Sequence, residues 1–178
     1  MAKGMKILAL ISTLLTVAFI GLYQAYEVSI SFAITFGTIA YHLCMRLLVG
    51  EIYDRILHNR VDYNRRWFQV GSTEKKLYKL LRVKSWKTSM PTYDPSVFDP
   101  KLHTWDEIAQ ATCQSELVHE TNAVLSFLPI LAAIWFGDLT VFLITSVLAA
   151  CYDLLFVILQ RFNRPRIVKL IKRTENRK

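Results

Sequence analysis

Cysteine is scarce in this 178-residue chain, and the three present, Cys44, Cys113 and Cys151, share no paired spacing. All three fall in or beside apolar runs, which argues against both a disulfide framework and a structural zinc site. Charge is scarce too: Asp, Glu, Lys and Arg make up 20% of the residues against 53% hydrophobic ones, too apolar a balance for an ordinary soluble domain. No internal repeat or low-complexity run is visible. The segment ELVHE at 116–120 is not the HExxH arrangement of a metalloprotease, and no Cys or further His ligands stand nearby, so neither a metal nor a cofactor is expected. A cleavable leader is not expected either. No small-x-small site precedes Gln24, and removing the first apolar run would leave the next one entering against the charge bias.

What the chain does have is apolar runs. Four blocks of about twenty residues can each cross a ~30 Å hydrocarbon core as a helix: about 7–26, 28–49, 117–136 and 139–159. This predicts an all-α polytopic protein forming one membrane domain, with a central segment over 50–116 and a basic tail over 160–178. Charge gives the orientation, because Lys and Arg collect in the cytoplasm. Lys3 and Lys6 precede the first block, eleven basic residues lie between the second and third, and eight stand between Arg161 and Lys178. The tips around Glu27 and around Gly137-Asp138 hold none. Both termini and the central segment are therefore expected in the cytoplasm of a multi-pass cell-membrane protein. The net charge of +8 is a property of that one face, suited to anionic headgroups. Nucleic acid is not an expected partner, since the basic residues flank spans and interleave with Ile167, Val168, Leu170 and Ile171 in the manner of a helix on a membrane surface.

Within the central segment, Glu51 to about Asp62 should continue the second span as a helix. Ser72 or Thr73 can cap a short amphipathic helix through Leu81. VKSWKTSMPTYDPSVFDP carries three prolines and should be irregular. Thr104 with Glu107 offers a capping box, from which a helix can run unbroken to Pro129. Ionisable residues are absent from the outer halves of the spans, while six stand in the inner halves: His42, Arg46, Glu116, His119, Glu120 and Asp153. Positions three and four apart share a helical face, so Glu116, His119 and Glu120 form one polar stripe and His42 with Arg46 another. Such stripes should turn away from lipid, toward each other and toward Asp153, making a polar pocket open to the cytosolic leaflet. Arg46 alone could equally snorkel to the headgroups.

A histidine beside a carboxylate is the arrangement of an oriented general base, with Glu116 the expected partner of His119. Cys113 lies off the His119 face and is a poor nucleophile candidate. QRFNRPR at 160–166 places Arg161, Asn163, Arg164 and Arg166 at the depth of Glu116, where guanidinium groups can bind phosphate or carboxylate. Pro165 between two arginines suggests a shaped loop.

ELVH at Glu116–His119, QRFNRPR at Gln160–Arg166 and WKTSMP at Trp86–Pro91 resemble the glycosyl-4,4'-diaponeurosporenoate acyltransferase family, over about Trp67 to Arg173. The resemblance implies transfer of a fatty acyl chain to a sugar hydroxyl on a membrane lipid, with membrane lipids, acyl-CoA or another acyl donor, and a lipid-linked acceptor as partners. Glu116, His119, Arg161, Asn163, Arg164 and Arg166 are its matched positions. Glu120 departs, an aromatic residue standing there in a family member. On this reading His119 accepts the hydroxyl proton, Glu116 orients it, and the Arg161–Arg166 stretch holds donor phosphates or polarises the thioester oxygen. His42, Arg46, Asp153 and Glu120 line the site, and Trp86 with Lys87 cover the entrance or serve as an interfacial anchor. The alternative is a non-catalytic lipid-binding or assembly protein, which would tolerate loss of His119.

Overall fold

The computed structural model describes residues 2–26, 28–137 and 139–176. Glu27 and Asp138 at the two tips, and Arg177 and Lys178 of the tail, lie outside the described residues, as does Met1. The described chain is helical, with no strand. Four stretches are long and apolar enough to cross a membrane: Lys3–Tyr26, Ser31–Leu57, Trp105–Phe136 and Leu139–Glu175.

Helix α1 (Ala2–Tyr26) and helix α2 (Ser31–Leu57) form the first hairpin and pack along each other. Small residues bring them close. Ala9 and Ser12 are buried on α1 and Ala33 and Ala40 on α2, and a Cβ placed on Gly37 would lie 3.4 Å from the Thr16 methyl. Phe19 stacks on Phe32 and Phe36 with centroids 5.1 and 5.5 Å away. Ile7, Leu8, Leu14 and Val17 point outward, as side chains do where lipid, not water, surrounds a helix and close backbone contact holds the pair.

Helix α2 ends where His58 and Asn59 adopt positive φ, 48° and 56°, a left-handed reversal that asparagine tolerates well. The chain then lies against the bundle through a cluster of Val61, Phe68 and Cys113. Helix α3 (Ser72–Leu80) follows, with Gly71 in the capping position and no side-chain cap. Ser72 and Thr73 are thus inside the first turn, not caps. Arg82, at φ 49°, turns the chain into helix α4 (Val83–Trp86). The proline-rich stretch expected to be irregular also holds 3-10 turns at Lys87–Ser89 and Pro95–Phe98. Pro95 opens the second of these, where no amide is needed, and the Asp94 carboxylate accepts from the Ser96 amide.

Thr104 and Glu107 form the expected capping box at the start of helix α5 (Trp105–Leu125). Past Leu125 the third crossing changes to a 3-10 turn over Leu128–Ala132, which contains Pro129, and ends in helix α6 (Ala133–Phe136). Helix α7 (Leu139–Glu175) spans 37 residues, about 55 Å of rise and far more than the hydrocarbon needs. The expected loop at Arg161–Arg166 does not exist: Pro165 sits inside α7. A proline there removes one backbone bond, and the ion pairs that Arg161 and Arg164 make in the turn just before it hold the helix against α5 and α3.

The bundle is inside-out by soluble standards. Its largest fully buried side chains include Glu116, Asn122, Thr112 and Asp153, so the α5–α7 seam is held by polar groups that must satisfy one another.

Candidate active site

The polar seam has two levels, both toward the end of the bundle that carries the central segment and the tail. At the lower level, Glu116 is wholly buried on α5 and bridges two arginines of α7. Its Oε1 accepts from Arg161 Nη1 at 2.5 Å, and its Oε2 from Arg164 Nη2. Arg161 and Arg164 are three residues apart and share a face of α7, which is why one carboxylate meets both. Arg161 also donates through Nε and Nη2 to Glu74 of α3, at 2.5 and 3.0 Å, and to the carbonyls of Trp67 at 2.9 Å and Gln69 at 3.2 Å. All its donors are used. Arg164 donates to the Thr112 hydroxyl and carbonyl and to the Phe68 carbonyl, and lies over the Phe68 ring at 5.1 Å.

These two guanidiniums therefore pin the 66–74 segment onto α5 and α7, and leave little with which to hold a donor phosphate. Glu74 accepts from Tyr78 as well. Burial alone would raise the Glu74 carboxyl, but the hydrogen bonds from Arg161 and Tyr78 hold it below the ordinary carboxylate value. Burial and that same carboxylate push the Tyr78 phenol well up.

At the upper level, His119 lies one turn above Glu116 on α5. Its Nδ1 is 2.9 Å from Asp153 Oδ1 on α7, and its ring stacks on Phe156 with centroids 4.5 Å apart and planes 9° apart. Asp153 Oδ2 accepts from Arg46 Nη2 of α2 at 2.5 Å, and Arg46 also donates to the carbonyls of His42 and Ala149. Three helices thus meet on one buried carboxylate. A carboxylate oxygen can only accept from Nδ1, so in the neutral ring Nδ1 carries the proton and Nε2 presents its lone pair. Nε2 makes no hydrogen bond among the described residues, while the side chain keeps 22% of its exposure. The carboxylate expected to meet His119 is Glu116; the one that does is Asp153. Helical spacing puts Glu116 and His119 on one face, yet each reaches across to a different partner on α7.

The remaining expected residues divide. His42 touches Tyr41 edge-on at 5.4 Å, and its two ring nitrogens are buried without a partner among the described residues, as are Arg46 Nε, Asn122 Oδ1 and Ser146 Oγ. Lys87 donates to Asn163 Oδ1 at 3.0 Å and lies 5.5 Å from the Phe162 ring, which Arg166 covers from 4.5 Å. Burial, then Arg166 and Lys84, lower the Lys87 ammonium. Three cations thus gather at one place, with no carboxylate paired to any of them among the described residues. Trp86 donates to the Leu81 carbonyl within its own segment. Glu120 makes no bond to His119 and accepts from Trp67 Nε1 at 3.1 Å. Cys113 is fully buried against Val61 and Phe68, no place for a nucleophile.

Trp67, Gln69 and Glu74 did not emerge from the sequence as site residues. Their one signal is that Glu74 opens the only amphipathic helix of a segment otherwise rich in Lys and Arg.

The model of the glycosyl-4,4'-diaponeurosporenoate acyltransferase family matches residues 60–173. The chain belongs to this family, and with four crossing helices it is a membrane acyltransferase. The match takes in both levels of the seam except His42 and Arg46 on α2. No curated protein and no solved structure matches the chain.

Proposed function

We propose that this membrane acyltransferase moves a fatty acyl group from a thioester donor, acyl-CoA in the simplest case, to a sugar hydroxyl of a glycosylated lipid such as a carotenoid glycoside, at the cytoplasmic leaflet of the cell membrane. The observation that carries the reading is the imidazole of His119, held on the buried Asp153 through Nδ1 with Nε2 unengaged among the described residues.

His119 Nε2 takes the proton of the acceptor hydroxyl as its oxygen attacks the thioester carbonyl carbon. Collapse of the tetrahedral species breaks the carbon–sulfur bond, and the imidazolium returns the proton to the leaving thiolate, giving ester and free thiol. Asp153 keeps the ring in the productive tautomer and stabilises its transient charge. Arg46 in turn holds Asp153. Glu116, Arg161 and Arg164 act by position: they fix α3 and the 66–74 segment against the seam. Donor phosphates are assigned to Lys84, Lys87 and Arg166, cations whose mutual repulsion an anion relieves. The charge bias supports a cytoplasmic placing of this end, where a soluble thioester donor with its tail in the inner leaflet meets a membrane-held acceptor.

The test is purified protein in lipid nanodiscs with labelled acyl-CoA and glycosyl-4,4'-diaponeurosporenoate. Wild type should release free thiol and pass label to the glycolipid, whose mass rises by one acyl unit. His119→Ala should do neither while remaining folded. Equal transfer by His119→Ala would remove the imidazole from the mechanism.

A further inference from the structure

Arg66, Trp67, Gln69, Glu120 and Arg161 line an open cavity of about 530 Å³, within the roughly 300–1,000 Å³ of small-ligand sites. Glu120 follows His119 directly on α5, a rise of about 1.5 Å along the helix axis, so the Glu120 edge of the cavity stands at the depth of the base. Trp67 is 64% exposed, yet its indole edge is tethered by the bond from Nε1 to Glu120 Oε2. A large aromatic face held still at its edge is a platform for the apolar face of a ring. Hydrogen-bonding capacity surrounds it. Glu120 uses Oε2 alone, Gln69 spends its amide N–H on the Tyr63 carbonyl and keeps its oxygen, and the exposed Arg66 guanidinium makes no hydrogen bond among the described residues.

Acceptors and donors of both kinds around an aromatic face suit a neutral polyol better than an anion. The Arg161 charge is already matched by Glu74 and Glu116, and the Glu120 carboxylate would repel a phosphate. We infer that this cavity is the sugar subsite of the acceptor: a hexose stacks on Trp67, Glu120 and Gln69 accept from its hydroxyls, and Arg66 donates to them. The inference rests on the acceptor being a glycoside, as proposed above, and it makes Glu120, Trp67 and Arg66 specificity residues rather than catalytic ones.

The experiment is binding of octyl glucoside, below its micelle-forming concentration, to the full chain in nanodiscs free of glycolipid, followed by calorimetry, with octyl phosphocholine as the matched-chain probe. The glucoside should bind more tightly than the phosphocholine. Trp67→Ala and Glu120→Ala should each weaken it roughly tenfold. Glu120→Gln still accepts from the indole and separates loss of the tether from loss of charge. It should weaken the glucoside by less than Glu120→Ala. His119→Ala loses one hydroxyl contact but should still bind the glucoside more tightly than the phosphocholine, which keeps this outcome separate from the fate of the catalytic proposal. In turnover, Trp67→Ala should raise KM for the glycosylated acceptor about tenfold with kcat within about twofold. Phosphocholine binding as tightly as the glucoside would make this a headgroup site and overturn the assignment, as would a glucoside affinity unchanged in both Trp67→Ala and Glu120→Ala.

Discussion

The proposed chemistry rests on one carboxylate with two partners. Asp153 gives one oxygen to His119 and the other to Arg46, so any change there alters both the tautomer of a base and the neutralisation of a buried cation. Asp153→Asn should lower the single-turnover acyl-transfer rate by about 10²–10⁴, and should also destabilise the fold by about 3–5 kcal/mol because Arg46 loses its counter-charge. The two effects separate in a double substitution. Arg46→Met with Asp153→Leu removes both charges, so thermal stability should recover most of the loss while transfer stays as low as in His119→Ala. If activity recovered with stability, Asp153 would be a structural anchor and nothing more. The sequence carried His119 and Asp153 as separate candidates and paired the histidine with Glu116, its neighbour on the same helical face. Spacing along one helix gives neighbours on that helix. It carries no information on which residue of another helix will be opposite, and α5 and α7 present two acidic levels one turn apart.

At the scale of elements, the arginine pair on α7 works as a clamp on the segment between α2 and α5. Glu116→Gln takes the counter-charge from a site with no exposure and should cost about 3–5 kcal/mol, read as loss of the folded fraction on heating in detergent. Glu74→Gln should cost less, since its carboxylate is partly exposed. The sign of the pH effect follows from the lowered Glu74 pKa. A carboxyl held below its ordinary value stabilises the fold fully above about pH 4.5, the value expected when unfolded, and that contribution is lost as pH falls through the lowered folded value. Melting curves between pH 7 and pH 3 should therefore show an acid-side loss that Glu74→Gln reduces. Much of this scale was legible. The capping box at Thr104 follows from local chemistry alone, and so does the end of α5 ahead of Pro129. The clamp was not, because Arg161 and Glu74 lie 87 residues apart. The helical path through Pro165 was missed for a related reason: proline argues for a break locally, and the ion pairs that hold α7 in the turn before it come from distant segments.

For the whole molecule, charge and polarity are sorted along one axis. The half of each apolar run nearest the tips carries no Asp, Glu, Lys, Arg or His among the described residues, while the basic central segment, the basic tail and both levels of the seam share the other end. That sorting was legible in full, because it depends only on which residues fall where along four apolar runs. On the reading proposed above, it also ties topology to chemistry: a soluble thioester donor would be supplied from the cytosol, so that reading requires the His119 end to face it. Cysteine labelling checks this after Cys44, Cys113 and Cys151 are replaced by alanine. Ser29→Cys lies in the exposed link between α1 and α2, and Lys101→Cys in the exposed link before α5. With a membrane-impermeant maleimide on intact cells, Ser29→Cys should label and Lys101→Cys should not, and permeabilisation should expose Lys101→Cys. The reverse pattern would put the base on the outer face, out of reach of acyl-CoA, and would require a membrane-borne acyl donor in its place.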